Sequence, residues 1–151
     1  MRRELVAGIA AGAVGTVALN ATSYLDMLGR GRPASSAPAD AAGKLTELTH
    51  VGLGEQESAV NRREALGALL GIGTGLGVGA VYGLLRVATH VPLPAAAVGL
   101  GAAAMAGSDL PLAALGLVDP REWDAASWAS DVLPHLAYGA AAATAYRLIQ
   151  T

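Results

Sequence analysis

Cysteine is absent from the 151 residues, phenylalanine is absent too, and charged residues make up only 15 %. Without cysteine there are no disulfides, no thiolate metal sites and no thiol nucleophile. With two Trp and four Tyr as the only aromatics, the apolar content is Ala, Gly, Leu and Val. Such small side chains let backbones approach closely. Ten Lys/Arg against twelve Asp/Glu leave a net charge of −2, which supplies no electrostatic footprint for nucleic acid. An average soluble domain carries roughly 25 % charged residues, and a chain this small has a large surface to cover. These few charges would cover it poorly. They are also clustered, and the mean hydropathy is +0.44. The chain reads as one membrane domain.

Residues 5–25 carry no charge. As a helix they reach about 31 Å at ~1.5 Å per residue, which matches a hydrocarbon core of ~30 Å. A cleaved signal peptide is not expected, because no small-x-small site closes the run and three more apolar segments follow. Residues 65–85 form a second uncharged run, ended by Arg86 and His90, and residues 91–108 a third, with Pro92 and Pro94 in its first turn. Gly107-Ser108-Asp109 interrupts the third run. Leu110-Pro111 then opens an apolar stretch to Val118, which reads as a break followed by a short half-helix. Trp123 and Trp128 precede a fourth segment, where interfacial aromatics belong.

The expected fold is therefore all-α: an integral membrane bundle of four transmembrane helices over about 5–28, 62–88, 93–107 and 128–149. A polar loop, 29–61, holds a short amphipathic helix near 38–50 lying at the membrane surface, and a short apolar helix covers 110–118. Asn61-Arg62-Arg63-Glu64 fits a capping box for the second helix, with an earlier start near Glu55 as the alternative. Basic residues divide almost evenly between the two sides, so orientation stays open.

The sharpest pattern is Gly67, Gly71, Gly75, Gly79 and Gly83, one every four residues. A helical Gly costs about 0.5–1 kcal/mol relative to Ala, so a face of five points to a compensating gain. In lipid, close packing of small residues drives helices together. Gly8-x3-Gly12, Ala11-x3-Gly15 and Ala95-x3-Gly99-x3-Ala103-x3-Gly107 supply matching surfaces. Packing within the bundle, a homo-oligomer, or a pore-lining face would each use them. Gly75-Leu76-Gly77-Val78-Gly79-Ala80 also matches a dinucleotide fingerprint, but no strand precedes it and no acidic residue follows about 20 positions on.

Ionisable groups inside a span are costly, about 2.5–3.5 kcal/mol for Asp at a helix centre. Asp131 and His135 are i, i+4 neighbours, with Tyr138 further along the same face. They form a proton relay, or Asp131 is a wet helix cap and His135 bonds a nearby loop; both readings stand. Asp109 either lines a broken helix at membrane depth or caps an interfacial helix beyond it. Pro134 frees the carbonyl of Ser130, which His135 is placed to satisfy. Thr16, Asn20 and Ser23 form a polar stripe suited to hydrogen bonds across helices. Arg30 and Arg32 suit anionic lipid. His50 reads as a surface residue. No metal site, cofactor or catalytic residue is expected, because nothing pairs a second His or a carboxylate cluster at ligand spacing, and Ser108 or Ser130 beside His135 would lack an oxyanion hole.

Two stretches carry a resemblance. Gly15-Thr16, Leu19-Asn20, Ser23-Tyr24-Leu25-Asp26-Met27 and Arg30-Gly31-Arg32-Pro33-Ala34-Ser35, together with Asp131 and Pro134-His135-Leu136-Ala137-Tyr138-Gly139, resemble uncharacterised small integral membrane proteins of high-GC Gram-positive bacteria. The His135-x-x-Tyr138-Gly139 element is loosely similar to the YagU-type inner-membrane family linked to acid resistance. The resemblance implies a four-helix, multi-pass protein of a bacterial plasma (inner) membrane and marks Tyr24, Asp26, Arg30, Arg32, Asp131 and His135 as a shared site. Three functional readings follow from residues and resemblance together. One is a small transporter or channel-like subunit with an Asp109/Asp131/His135 centre. The second is a structural or interaction protein of tightly packed glycine-zipper helices. The third is a membrane enzyme acting on a lipid-like substrate. The bilayer is the expected partner, with a homo-oligomer as a further option.

Overall fold

A computed structural model describes residues 1–86 and 90–151. Five α-helices follow in order: α1 Arg2–Arg30, α2 Ala37–Leu48, α3 Gln56–Leu85, α4 Leu93–Ala114 and α5 Ala125–Gln150, with a 3-10 turn at Pro120–Glu122 before α5. No strand occurs among the described residues. Three helices, α1, α3 and α4, are long and apolar enough to cross a membrane. The fourth expected span is a helix, but α5 is not among those three. Its interior face explains this: Asp131, His135, Tyr138, Tyr146 and Gln150 lower its hydropathy while His135, Tyr138 and Tyr146 are buried against other helices.

The long helices run alternately up and down. Along α1, Gly8 meets Gly79 and Gly83 whereas Gly12 meets Gly75 and Gly79, which makes α1 and α3 antiparallel. Glu4 lies by Tyr146 and Asp26 by Ser130, so α1 and α5 are antiparallel as well. Gly101 abuts the His135 carbonyl and Gly139 the Ala97 carbonyl, which sets α4 antiparallel to α5. The buried core is made mostly of small residues, Ala96, Ala104, Ala142 and Ala143, around Leu100 and one fully buried Tyr138. A second cluster joins Ala7 and Ala11 to Tyr146.

Several boundaries differ from the sequence expectation. Helix α3 starts at Gln56, because Glu55 adopts the extended cap conformation and Glu57 favours the first turn. The Asn61 capping box is therefore helix interior, and Arg62 reaches back to the Leu53 carbonyl at 2.5 Å. The expected end of this helix at residue 88 lies outside the described residues. Helix α1 closes on Gly31, whose φ of 63° is the left-handed C-cap that glycine adopts most easily. Helix α4 runs unbroken through Gly107-Ser108-Asp109 to Ala114, so there is no separate half-helix over 110–118. Pro111 removes only the bond to the Gly107 carbonyl, and the Ser108 hydroxyl stays inside the helix by bonding the Met105 carbonyl at 2.9 Å.

Packing also redistributes the small residues. Gly75, Gly79 and Gly83 face α1, and Gly67 supports the backbone of Pro38 and Ala39 in the first turn of α2. The amphipathic helix thus rests on α3, with Gly43 against the Arg63 side chain. Gly71 is in register but has open space beside it, as do Gly73, Gly77 and Gly99. On α4 the packed face is Ala96, Leu100, Gly101 and Ala104 rather than the exposed 95/99/103/107 row, in which a Cβ at Gly107 would meet Thr74 and one at Gly99 nothing.

A Cβ on Gly79 would collide with the Gly8 carbonyl oxygen and stand 2.7 Å from Gly12 Cα. Gly79→Val is expected to destabilise the fold by roughly 1–3 kcal/mol or more through overpacking. Gly71→Ala meets nothing and is expected to stabilise it by about 0.5–1 kcal/mol. Unfolding titrations in detergent, read by circular dichroism, test both.

Candidate functional site

Antiparallel α4 and α5 bring four polar side chains together. Ser108 and Asp109 come from α4; Asp131 and His135 come from α5. His135 Nδ1 lies 2.8 Å from the Asp131 carbonyl oxygen and 3.4 Å from Asp131 Oδ1. Both neighbours are acceptors, so Nδ1 carries the proton. Nε2 then points at Ser108 Oγ, 3.4 Å away. Ser108 Oγ is also 3.1 Å from Asp109 Oδ1. The Asp109 carboxyl in turn interacts with both Asp131 and His135. Asp131 Oδ2 is buried and has no hydrogen-bond partner among the described residues.

These positions exclude the cap alternative at both carboxylates. Asp131 does not cap its helix. The N-cap of α5 is Asp124, whose Oδ1 accepts the Ser127 amide at 2.7 Å. The Ser127 hydroxyl, together with that amide bond, holds the Asp124 carboxyl below the usual carboxylate range. Asp131 lies about 10 Å further along the axis, at ~1.5 Å per residue. Asp109 caps nothing either, since α4 continues past it. His135 bonds the Asp131 carbonyl and not that of Ser130, because its ring folds back one full turn to the i−4 carbonyl.

A second polar group adjoins the first at the same end. Asp26 Oδ2 accepts from Arg30 Nη2 at 2.7 Å, from Arg32 Nε at 2.6 Å and from Ser130 Oγ at 3.3 Å. Arg30 also donates to Ser130 Oγ and to the Ala126 carbonyl. The end of α1 is thus tied to the start of α5 beside Asp131. Of the residues that the resemblance marks, Asp26, Arg30 and Arg32 join here, whereas Tyr24 stands 65 % exposed. The donors of Arg30 and Arg32 serve these protein acceptors, and Arg32 additionally donates to the Pro33 carbonyl.

Tyr138, one turn beyond His135, is fully buried and donates to the Gly75 carbonyl at 2.6 Å. A Cβ at Gly75 would strike the Thr16 hydroxyl oxygen, so Thr16 occupies the space that this glycine leaves. The expected interhelical bonds from the α1 polar stripe are not made. Thr16 Oγ1 donates to its own Gly12 carbonyl at 2.9 Å, as helical threonines readily do. Asn20 is exposed, and neither it nor Ser23 bonds across helices among the described residues. His50 is exposed with φ 56°.

One network has no counterpart in the sequence reading. At the opposite end, Glu4 accepts hydrogen bonds from the Tyr146 hydroxyl and from Gln150 Nε2. Tyr82 packs edge-on to Tyr146, with centroids 5.0 Å apart. A signal was available: Tyr146 and Gln150 continue the i, i+4 line that begins at Asp131. Asp131, His135, Tyr138, Ala142, Tyr146 and Gln150 form one interior stripe along α5, polar everywhere except at Ala142.

No family model, no curated protein and no solved structure matches the chain.

Tyr138→Phe removes one buried hydrogen bond while filling the same volume. Its expected cost is about 0.5–1.5 kcal/mol, against roughly 3–5 kcal/mol for Tyr138→Ala, which would open a cavity of aromatic size. Chemical unfolding of both variants in the same detergent measures the difference.

Proposed function

We propose that the chain is a small multi-pass protein of a bacterial plasma membrane in which α1, α3, α4 and α5 all span as a four-helix bundle, and that it is a transporter or channel-like subunit with a proton-binding centre at Asp109, Asp131 and His135. The observation that supports this reading is the polar stripe of α5. A polar line on the interior face of a helix is expensive in lipid unless it serves a pathway or a relay. Here it starts at a cluster of two carboxyls and an imidazole, groups that take up and release protons. The backbone bond of Tyr138 and the small Ala142 follow, and the stripe resumes at Tyr146 and Gln150. In this arrangement protons reach the cluster from the Asp26 end, and Tyr138 seated on Gly75 is the closed point. The His135-x-x-Tyr138-Gly139 likeness falls on this same stretch.

The test is proton flux. Purified protein in liposomes containing a pH-sensitive dye is expected to dissipate an imposed pH gradient, and His135→Asn and Asp131→Asn are expected to slow that by at least roughly tenfold, the scale on which a positioned proton carrier acts. Single cysteines report access: one at position 135 should react with an impermeant maleimide and one at 138 should not, with exposed Ser36 as the control position. Equal flux from wild type, variants and empty liposomes would defeat the transport reading.

A second reading, structural or interaction protein, is favoured by the open space at Gly73 and Gly77, an i, i+4 pair. A second copy would fit there by close backbone approach. Cysteine at position 73 is then expected to cross-link between copies, and cysteine at 79, enclosed by α1, is not.

A further inference from the structure

The interior stripe of α5 ends on a residue that the Asp109, Asp131 and His135 centre does not include. Glu4, in the first turn of α1, receives the Tyr146 hydroxyl and Gln150 Nε2, both on its Oε2. Gln150 Nε2 also donates to the Tyr146 oxygen at 3.2 Å. These bonds have one polarity: the amide feeds the phenol, both feed the carboxylate, and Glu4 gives nothing back. Tyr146 is buried, with Tyr82 edge-on against it. Glu4 is half-buried, and its Oε1 accepts nothing from the described residues yet is not an enclosed atom. Because Glu4 directly precedes the uncharged run 5–25, it stands at the edge of the apolar segment, with one oxygen on the bundle interior and the other open to the surrounding water.

A tie between α1 and α5 would be served equally by a neutral acceptor. A carboxylate differs from one in a single property: it can take the proton that it is offered. The first turn of a helix favours the anion, which keeps Glu4 ready to accept. On the α3 side, the Arg86 guanidinium acts electrostatically on both phenols, Tyr82 and Tyr146; Arg2, Arg3 and Arg147 are exposed nearby on α1 and α5. A path across the bundle needs a proton acceptor at each end. Asp109 and Asp131 provide it at the Asp26 end, and Glu4 is the carboxylate at the other end of the same stripe. We propose that Glu4 exchanges protons with the water on the side opposite Asp131. It takes the Tyr146 hydroxyl proton on Oε2, the phenol oxygen is refilled by the proton arriving along α5, and Glu4 then releases its proton to water. This role rests on the transport reading of the Asp109, Asp131 and His135 centre.

The test uses the whole chain in liposomes loaded with a pH-sensitive dye. Glu4→Gln keeps an acceptor oxygen for Tyr146 and Gln150 but cannot take a proton, and it is expected to slow flux at least roughly tenfold, the scale of a positioned proton carrier. Glu4→Asp keeps the carboxyl and is expected to lose less than Glu4→Gln. Tyr146→Phe removes only the hydroxyl between the stripe and the carboxylate and is expected to slow flux as Glu4→Gln does. It carries the test where Glu4→Gln disturbs the fold, which circular dichroism on the same samples will show. Glu57→Gln, at an exposed carboxylate in the first turn of α3, removes the same charge and is expected to leave flux unchanged. Wild-type flux that His135→Asn slows and that Glu4→Gln or Tyr146→Phe does not slow overturns this proposal and leaves the transport reading standing. An equal loss in Glu57→Gln also overturns it, by tracing the effect to net charge. Wild-type flux no greater than that of empty liposomes defeats the transport reading itself, and the role of Glu4 with it.

Discussion

Gly8 and Gly12 of α1 meet Gly75, Gly79 and Gly83 of α3 backbone against backbone, and the placement of the polar groups depends on that approach. With α1 drawn so close to α3, Gly15 and Thr16 come level with the ring of Tyr138 and with Gly75. The tyrosine can then reach across to a carbonyl on α3. Were α1 held off by side chains, the phenol would lose its wall, and α5 would have to shift its polar stripe away from Asp109 and Ser108. In lipid no hydrophobic force gathers the helices, so contact distance itself is the source of association. The glycines set that distance, and the polar clusters are built at the two ends it leaves.

The polar groups are divided by length. The Asp26 and Asp109 clusters gather at one end and the Glu4 network at the other, with Tyr138 between them. This division follows from antiparallel packing of α1 on α5, which sets the first turn of one beside the last turn of the other. Each end combines a carboxylate with hydroxyl or amide donors, and each involves a residue at or near an α1 terminus. Helix α1 is in this sense the clamp, and α5 the element clamped.

Spacing rules made faces legible and left neighbours obscure. Apolar runs located the helices, and four-residue spacing located Gly75, Gly79, Gly83, Asp131 and His135 on packed faces. Periodicity says which residues share a face but not what lies opposite. Gly71 shared the register and met nothing, because α1 crosses α3 further along. Ser108 and Asp109 read as a helix start because cap residues and a nearby proline are the usual marks of one. The same residues are stable inside a helix when the serine hydroxyl bonds back to the preceding turn. Asp124-x-x-Ser127 was the true cap of α5 and could have been recognised from its Asp and the amide three residues on. The Glu4 network was invisible for a different reason: its partners are 142 and 146 positions apart, a distance that only topology can close.

The same separation bears on how the molecule assembles during synthesis. Helices α1 and α3 can close on each other as soon as both have been made, since their contact is glycine on glycine and needs nothing from later in the chain. Helix α5 is in the reverse position. Tyr138 and Tyr146 donate to acceptors on helices made before it, and His135 reaches Ser108 there, so these groups are matched only when α5 docks. It must enter a slot already shaped by α1 and α4, and the carboxylate of Glu4 must remain unmatched until it does. A chain halted before α5 would present that vacant slot, lined by glycine backbone and by the acidic side chains of Glu4, Asp26 and Asp109, to whatever quality-control machinery inspects unfinished membrane proteins.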